Sequence, residues 1–339
     1  MNKVLIIAEA GVNHNGDIDK ALRLVELASQ TGADYIKFQT FKTELNISKK
    51  AKKAKYQEKN TGLNETQFEM VKKLELTFND FVLIEKKCKE SNIGFMSTGF
   101  DIPSLDFLDT FSPEYYKIPS GELTNKPYLE HVGKLARKII LSTGMADLNE
   151  IKQAIFVLEK VGFNKNNIIV LHCNTEYPTP FKDVNLLAML QIKKEIGVKI
   201  GYSDHTLGIE VPIAAVALGA EVIEKHFTLD RNLPGPDHLA SLEPDELKDM
   251  INGIRNIELA ISGNGIKEAS ESEKSNKLIA RKSIHLLKNL KVGHVLSPND
   301  LIMKRPGDGI SPMEIDLVLG RKIAKSLIED TKLKWKHLD

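Results

Sequence analysis

VKIGYSDHTLGIEVPIAAVALGAEVIEKHF, residues 198–227, sets two short β-branched runs, VKIGYS from Val198 and EVIEKHF from Glu221, on either side of an apolar stretch, VPIAAVALGA from Val211. Each run ends in polar residues, SDH and EKH. The same rhythm of strand-like runs and helical patterns extends from the N-terminus to about residue 261, the signature of a parallel sheet with crossover helices. The other strand candidates are VLIIA from Val4, YIKFQ from Tyr35, IGFMS from Ile93, YYKI from Tyr115, KIILS from Lys138 and NIIVLH from Asn167, which brings the total to eight. Segments such as IDKALRLVELASQ and NEIKQAIFVLEKV repeat their apolar residues at three and four positions, as helices do. Eight such units predict an α/β fold of the (β/α)₈ TIM-barrel type over residues 1–261. An open doubly wound sheet is the alternative, but no G-x-G-x-x-G turn follows the first strand.

Beyond the barrel, SGNGIKEASESEKSN from Ser262 is poor in large apolar residues and reads as a linker over 262–277. Residues 278–339 switch to short strands broken by KVGHV, SPND, RPGDG and SPME, a small turn-rich domain.

The chain has 339 residues with 42% hydrophobic and 27% charged content, enough for a large core. Its 47 basic and 46 acidic residues leave a formal charge of +1, so no global field draws it to nucleic acid or an anionic membrane. Cys88 and Cys173 lack the spacing of a disulfide framework or a zinc cluster, which suits a reducing, cytoplasmic setting. The opening MNKVLIIAEAG has a brief apolar run interrupted by Glu9 and reads as a strand rather than a signal peptide. VPIAAVALGA falls short of the roughly 20 residues of a membrane span.

Active sites of such barrels form at the C-terminal ends of the strands, and polar residues are dense there. The first strand ends in Glu9, and the second carries Lys37 and Gln39 on one face. Ser97 and Thr98 close the third, PSGE with Ser120 and Glu122 the fourth, Ser142 the fifth and HCNTEYPTP the sixth. His205 and His226 end the last two, sharing faces with Ser203 and Glu224. Each histidine alone reads as a hydrogen-bonded structural residue; as a matched pair of neutral imidazoles they also suit one divalent ion. Lys37 lies in an otherwise apolar strand, where an unpaired charge is costly, which favours an anion-binding role. Glu9 and Glu122 read equally as cation partner, cap or catalytic carboxylate, and Tyr177 and Phe181 as packing or lid. The run KKAKKAKYQEKN from Lys49 reads as a solvated helical face.

EAGVNHNGD, IKFQTFK, KIPSGE, ILSTGMA, LHCNTEYPTPF, GYSDHTLG, IEKHFTLD, GPDHLAS, ARKS and KRPGDGIS together resemble one family, the N-acetylneuraminate synthases and their relatives that make legionaminic and pseudaminic acids. The resemblance spans nearly the whole chain. It implies a TIM barrel followed by an antifreeze-like (SAF) domain, and a domain-swapped homodimer. It implies condensation of phosphoenolpyruvate with an unphosphorylated N-acetylated amino sugar, with Mn²⁺, Mg²⁺ or Co²⁺ on His205 and His226. Lys37, Thr98, Ser120, Ser142, Thr175 and Ser203 match residues around phosphoenolpyruvate, and Gln39, Tyr177, Asp237 and Arg305 match residues around the sugar. Glu9 and Glu122 match acidic residues near the reacting groups. Gly99 and Thr175 depart from commoner patterns, which have proline and asparagine. MSTGFD, GYSDHTLGIE and LPGPDHLAS resemble the legionaminic acid synthases more than the neuraminic ones, whereas HCNTEYPTPF is common to both. Other expectations open to such a barrel are a condensing enzyme that takes a phosphorylated aldose and a non-enzymatic antifreeze-like binding protein.

Overall fold

The computed structural model describes residues 3–61 and 65–339 and divides into two compact units, Met1–Gly263 and Asn264–Asp339. Among the described residues of the first unit, eight parallel strands run in chain order: β1 Leu5–Gly11, β2 Tyr35–Thr40, β3 Gly94–Gly99, β4 Tyr115–Ile118, β5 Lys138–Ser142, β6 Ile168–Cys173, β7 Lys199–Asp204 and β8 Val222–His226. They pair in the order β3-β2-β1-β8-β7-β6-β5-β4, and β3 packs beside β4, so the sheet curls into a nearly closed barrel. The expected TIM barrel is the observed fold.

The period of two in each strand explains its layering. Outward residues such as Ile6, Ala8, Ile36, Phe38, Ile139 and Val170 join the main core beneath the helices. Inward residues Ile7, Met96, Ile140, Leu171 and Val222 fill the barrel with a separate apolar cluster. One step further along each strand the inward positions become Glu9, Lys37, Thr98, Lys117, Ser142, Ser203 and Glu224, all buried. The apolar plug thus forms the floor of a polar chamber at the strands' C-terminal ends.

Local signals hold the helices in place. Asp17 caps helix Ile18–Thr31, which buries Ala21, Leu24, Val25 and Ala28 and ends on Gly32 at φ +88°. Asp147 and Glu150 form a capping box for Leu148–Lys160. VPIAAVALGA begins in the helix Glu210–Ala217 and runs past its end, and no described helix is long and apolar enough to cross a membrane.

On the outer side of β7 and β8, Lys225 and Asp204 form a fully buried ion pair at 2.5 Å, and Lys225 also donates to the Thr206 carbonyl at 2.5 Å. Removing one partner strands a charge in the core. Lys225→Met is therefore expected to lower the unfolding free energy by about 3–5 kcal/mol. The joint change with Asp204→Leu should recover most of that loss in urea denaturation, and equal destabilisation by both would count against the pair.

The second unit contains the antiparallel strands β9 Ser283–Leu286 and β10 Leu301–Lys304 around a small core that includes Ile284, Leu286, Leu296, Ile310, Val318 and Leu333. Asp300 accepts hydrogen bonds from the Ser297 amide and hydroxyl and pairs with Lys288. One expectation needs correction. The stretch read as a linker over 262–277 holds most of a helix, Glu271–Ala280, which a capping box of Ser270 and Glu273 opens and which runs on past residue 277.

Candidate active site

Four charges meet above the apolar plug. The Lys37 ammonium lies 2.5 Å from a Glu9 oxygen and 3.8 Å from Glu224, and donates to the Thr98 hydroxyl at 3.3 Å. Lys117 lies 3.6 Å from Glu224 and donates to the Ser142 hydroxyl at 2.7 Å, while Ser203 donates to Glu224 at 2.9 Å. Burial pushes the Glu9 carboxyl up to about 7 against the pull of Lys37. Burial also weighs most on Lys37, yet Glu224 and Glu9 together outweigh it and raise the ammonium above its ordinary range. Burial lowers Lys117. Two ammonium groups and four hydroxyls, those of Thr98, Ser142, Ser203 and the nearby Ser120, make a dry setting suited to a small anion with several oxygens.

The backbone allows this closeness at two glycines. Gly11, at φ +53° where β1 shifts register, brings the chain against Glu9 Oε1, Gln39 Nε2 and His226 Cε1, the nearest 3.2 Å from where a Cβ would sit. A Cβ at Gly144 would lie 2.5 Å from Thr175 and 2.9 Å from the Ser120 hydroxyl, which itself accepts from the Gly144 amide.

His205 and His226 stand at the ends of β7 and β8 with ring centroids 5.3 Å apart. The His205 Nδ1–H donates to the Asn174 carbonyl, which leaves its Nε2 lone pair available. His226 Nδ1 is buried with no hydrogen-bond partner. Burial lowers His205 to about 4 and His226 well below the ordinary imidazole range, so both rings are neutral near pH 7. Neutral, close and carrying an orphaned nitrogen, the pair fits a divalent cation that takes its other ligands from water or substrate. No described cluster of three or more His, Cys, Asp or Glu side chains would enclose such an ion without them.

The cavity over these groups measures about 450 Å³. Glu9, Lys37, Gln39, Thr98, Ser120, Ser142, Thr175, Tyr177, Ser203, His205 and His226 all line it. Asp237 lines a side chamber of about 200 Å³ that shares Gln39, Tyr177 and His226 with the main cavity, and burial raises its carboxyl to about 6. Glu122 and Arg305 are not among the lining groups, nor is Ser97, whose hydroxyl hydrogen-bonds that of Thr40. Glu122 is half-buried and turned to Asn125, whose amide donates to it at 2.6 Å, while its neighbour Gly121 faces the cavity. Arg305 belongs to the second unit, where it is exposed.

Other lining groups escaped the sequence reading. Lys117 could have been found by the argument used for Lys37, since it too is a lysine inside an apolar strand. Tyr56 and Gln57 had no such signal. They belong to the run from Lys49 read as a solvated face, and that reading is corrected in part. Lys49, Lys50, Lys52, Lys55 and Lys59 are exposed, but Lys53 is buried, and Tyr56 turns inward to stack on Tyr177 with centroids 5.0 Å apart. Tyr177 in turn stacks on His205 at 4.0 Å. A helix of about two turns, Lys55–Thr61, carries Tyr56 and Gln57 to the cavity while its Lys55 and Lys59 stay exposed.

The NeuB family model matches residues 24–267 of the chain, and the SAF domain model matches residues 281–339. An N,N'-diacetyllegionaminic acid synthase of Campylobacter jejuni is 53% identical over 337 residues, covering 98% of this chain and 100% of the relative. One from Legionella pneumophila is 46% identical over 336 residues, covering 98% of this chain and 94% of the relative. The crystal structure of an N-acetylneuraminic acid (sialic acid) synthetase from Leptospira borgpetersenii in complex with citrate matches with TM-score 0.71 and 37% identity, over 81% of this chain and 90% of that one.

Proposed function

The chain belongs to the NeuB family and ends in a SAF domain, and on that premise we propose that it is an N,N'-diacetyllegionaminic acid synthase. It joins phosphoenolpyruvate to 2,4-diacetamido-2,4,6-trideoxymannose with water and releases phosphate. The observation that carries this is the buried array of Lys37, Lys117 and serine and threonine hydroxyls beside two neutral histidines, which supports one highly charged anion next to an electrophile.

In this reading the carboxylate and phosphate of phosphoenolpyruvate lie among Lys37, Lys117, Thr98, Ser120, Ser142, Thr175 and Ser203. C3 of phosphoenolpyruvate forms the new bond to C1 of the open-chain sugar, and the aldehyde oxygen takes up a proton. Water adds its oxygen to C2 and gives up both protons, one balancing that taken up by the aldehyde oxygen and the other leaving with phosphate as the C2–O bond breaks, which leaves the 2-keto acid. His205 and His226 would hold a divalent ion, Mn²⁺ before Mg²⁺ or Co²⁺, which when bound supplies electrophilic pull on the aldehyde oxygen. Glu9, with a carboxyl near 7, is suited to hold or give a proton at neutral pH. Glu122, at the cavity's edge, has a lesser claim as the group that positions the water. Gln39, Tyr177 and Asp237 hold the sugar. Arg305 completes its contacts within a domain-swapped homodimer. The free, buried Cys88 and Cys173 support a cytoplasmic setting.

The acceptor is unphosphorylated, because no lysine or arginine lines the side chamber among the described residues and Asp237 would oppose a phosphate. Phosphate release with phosphoenolpyruvate and each sugar in turn tests this. The diacetamido sugar is expected to react fastest and N-acetylmannosamine 6-phosphate to stay near background. Fastest turnover of the phosphorylated sugar would overturn the reading in favour of a phosphate-using condensing enzyme.

A further inference from the structure

The side chamber has a composition unlike the cavity it opens from. The excursion between β2 and the helix Phe78–Glu90 folds Met70, Val71 and Leu74 over Val12, Phe41 and Phe100. Val12, Phe41 and Leu74, with Val71 and Phe100 packed on them, form an apolar cluster of their own, separate from the main core and the barrel plug. Gln39, Asn46, Gln57 and Gln67 supply amide groups to its lining. At about 200 Å³ the chamber holds the volume of roughly six or seven waters at ~30 Å³ each, enough for one end of a six-carbon sugar but not the whole of it.

We propose that this chamber reads the C4–C6 end of the acceptor, and that its apolar wall of Val12, Phe41, Met70, Val71, Leu74 and Phe100 selects a 6-deoxy sugar bearing a second acetamido group over one with hydroxyls there. The inference rests on the proposed function, since it takes the sugar's aldehyde end to lie by His226, where chamber and cavity join. A methyl group enters such a wall with a gain from burial. A hydroxymethyl group loses its water there and finds no partner on Val71 or Leu74. The amide groups of Gln57, Gln67 and Asn46 offer both donors and acceptors, the pairing that an acetamido N–H and C=O require.

The test compares kcat/KM by phosphate release for 2,4-diacetamido-2,4,6-trideoxymannose and N-acetylmannosamine, in the wild type, Val71→Thr and Val71→Thr with Met70→Gln. Val71→Thr preserves shape and adds one hydroxyl. The wild type should prefer the diacetamido sugar by about 10- to 200-fold, and the double variant should shrink that preference at least tenfold with the KM for phosphoenolpyruvate little changed. Phe100→Tyr gives the same readout should the double variant fail to fold. Variants that slow both sugars equally would overturn the chamber's role while leaving the proposed function intact, whereas a wild-type preference for N-acetylmannosamine would overturn the diacetamido acceptor and the chamber's role together. Silence with both sugars would overturn both.

Discussion

Lys37→Met is expected to lower kcat/KM by at least about 10³-fold and to destabilise the barrel in the same stroke. Lys37 is buried between Glu9 and Glu224, which neutralise it at 2.5 and 3.8 Å. Without its charge, Glu224 is left with the single ammonium of Lys117, and Glu9, already raised to about 7 by burial, loses the pull that held it down and takes up a proton; breaking a buried pair in this way costs about 3–5 kcal/mol. For a unit of this size that is a fall in Tm of about 6–20 °C. The rate falls for a separate reason: a group aimed at the anionic reactant in a dry site is worth about 10²–10³ by itself, and the less compensated Glu224 carboxylate now opposes that reactant. Adding Glu9→Gln to Lys37→Met separates the two effects. It should restore much of the Tm, since the neutral glutamine amide needs neither a counter-ion nor an added proton, and none of the rate. Phosphate release and thermal melts measure both; a Lys37→Met enzyme within tenfold of wild type would remove phosphoenolpyruvate from this site.

His226→Ala should abolish turnover while leaving the fold intact, and chelation of the wild type should do the same. His226 Nδ1 is buried without a partner, and the ring is neutral near pH 7, so its loss removes no internal hydrogen bond of that atom and no charge. What it removes is one of two protein ligands for the proposed ion. Equilibrium dialysis against Mn²⁺ gives a readout independent of activity, with about one ion retained per wild-type chain and little by the variant. Restoring Mn²⁺ after chelation should revive the wild type alone. Full activity of His226→Ala in the presence of a chelator would sink the metal assignment and leave the two rings as packing partners of Tyr177.

The barrel and most of its mouth were legible in the residue order because strand side chains alternate strictly. Once VLIIAEAG is a strand, Ile7 and Glu9 must share a face, and eight such strands converge their last inward residues on one point. That is why Lys37, Thr98, Ser142, Ser203 and the two histidines could be named before any coordinates. Lys117 obeys the same rule, as a buried lysine in the run YYKI. Tertiary structure alone decided what covers the mouth. Tyr56 and Gln57 lie in a lysine-rich run whose composition points to solvent, and only the stack of Tyr56 on Tyr177, 121 residues later in the chain, turns that face inward. The side chamber likewise needs Val12, Phe41, Leu74 and Phe100 from four separate segments. Periodicity reports contacts within one element; a wall assembled from loops carries no period, because each of its residues is placed by what it meets across space.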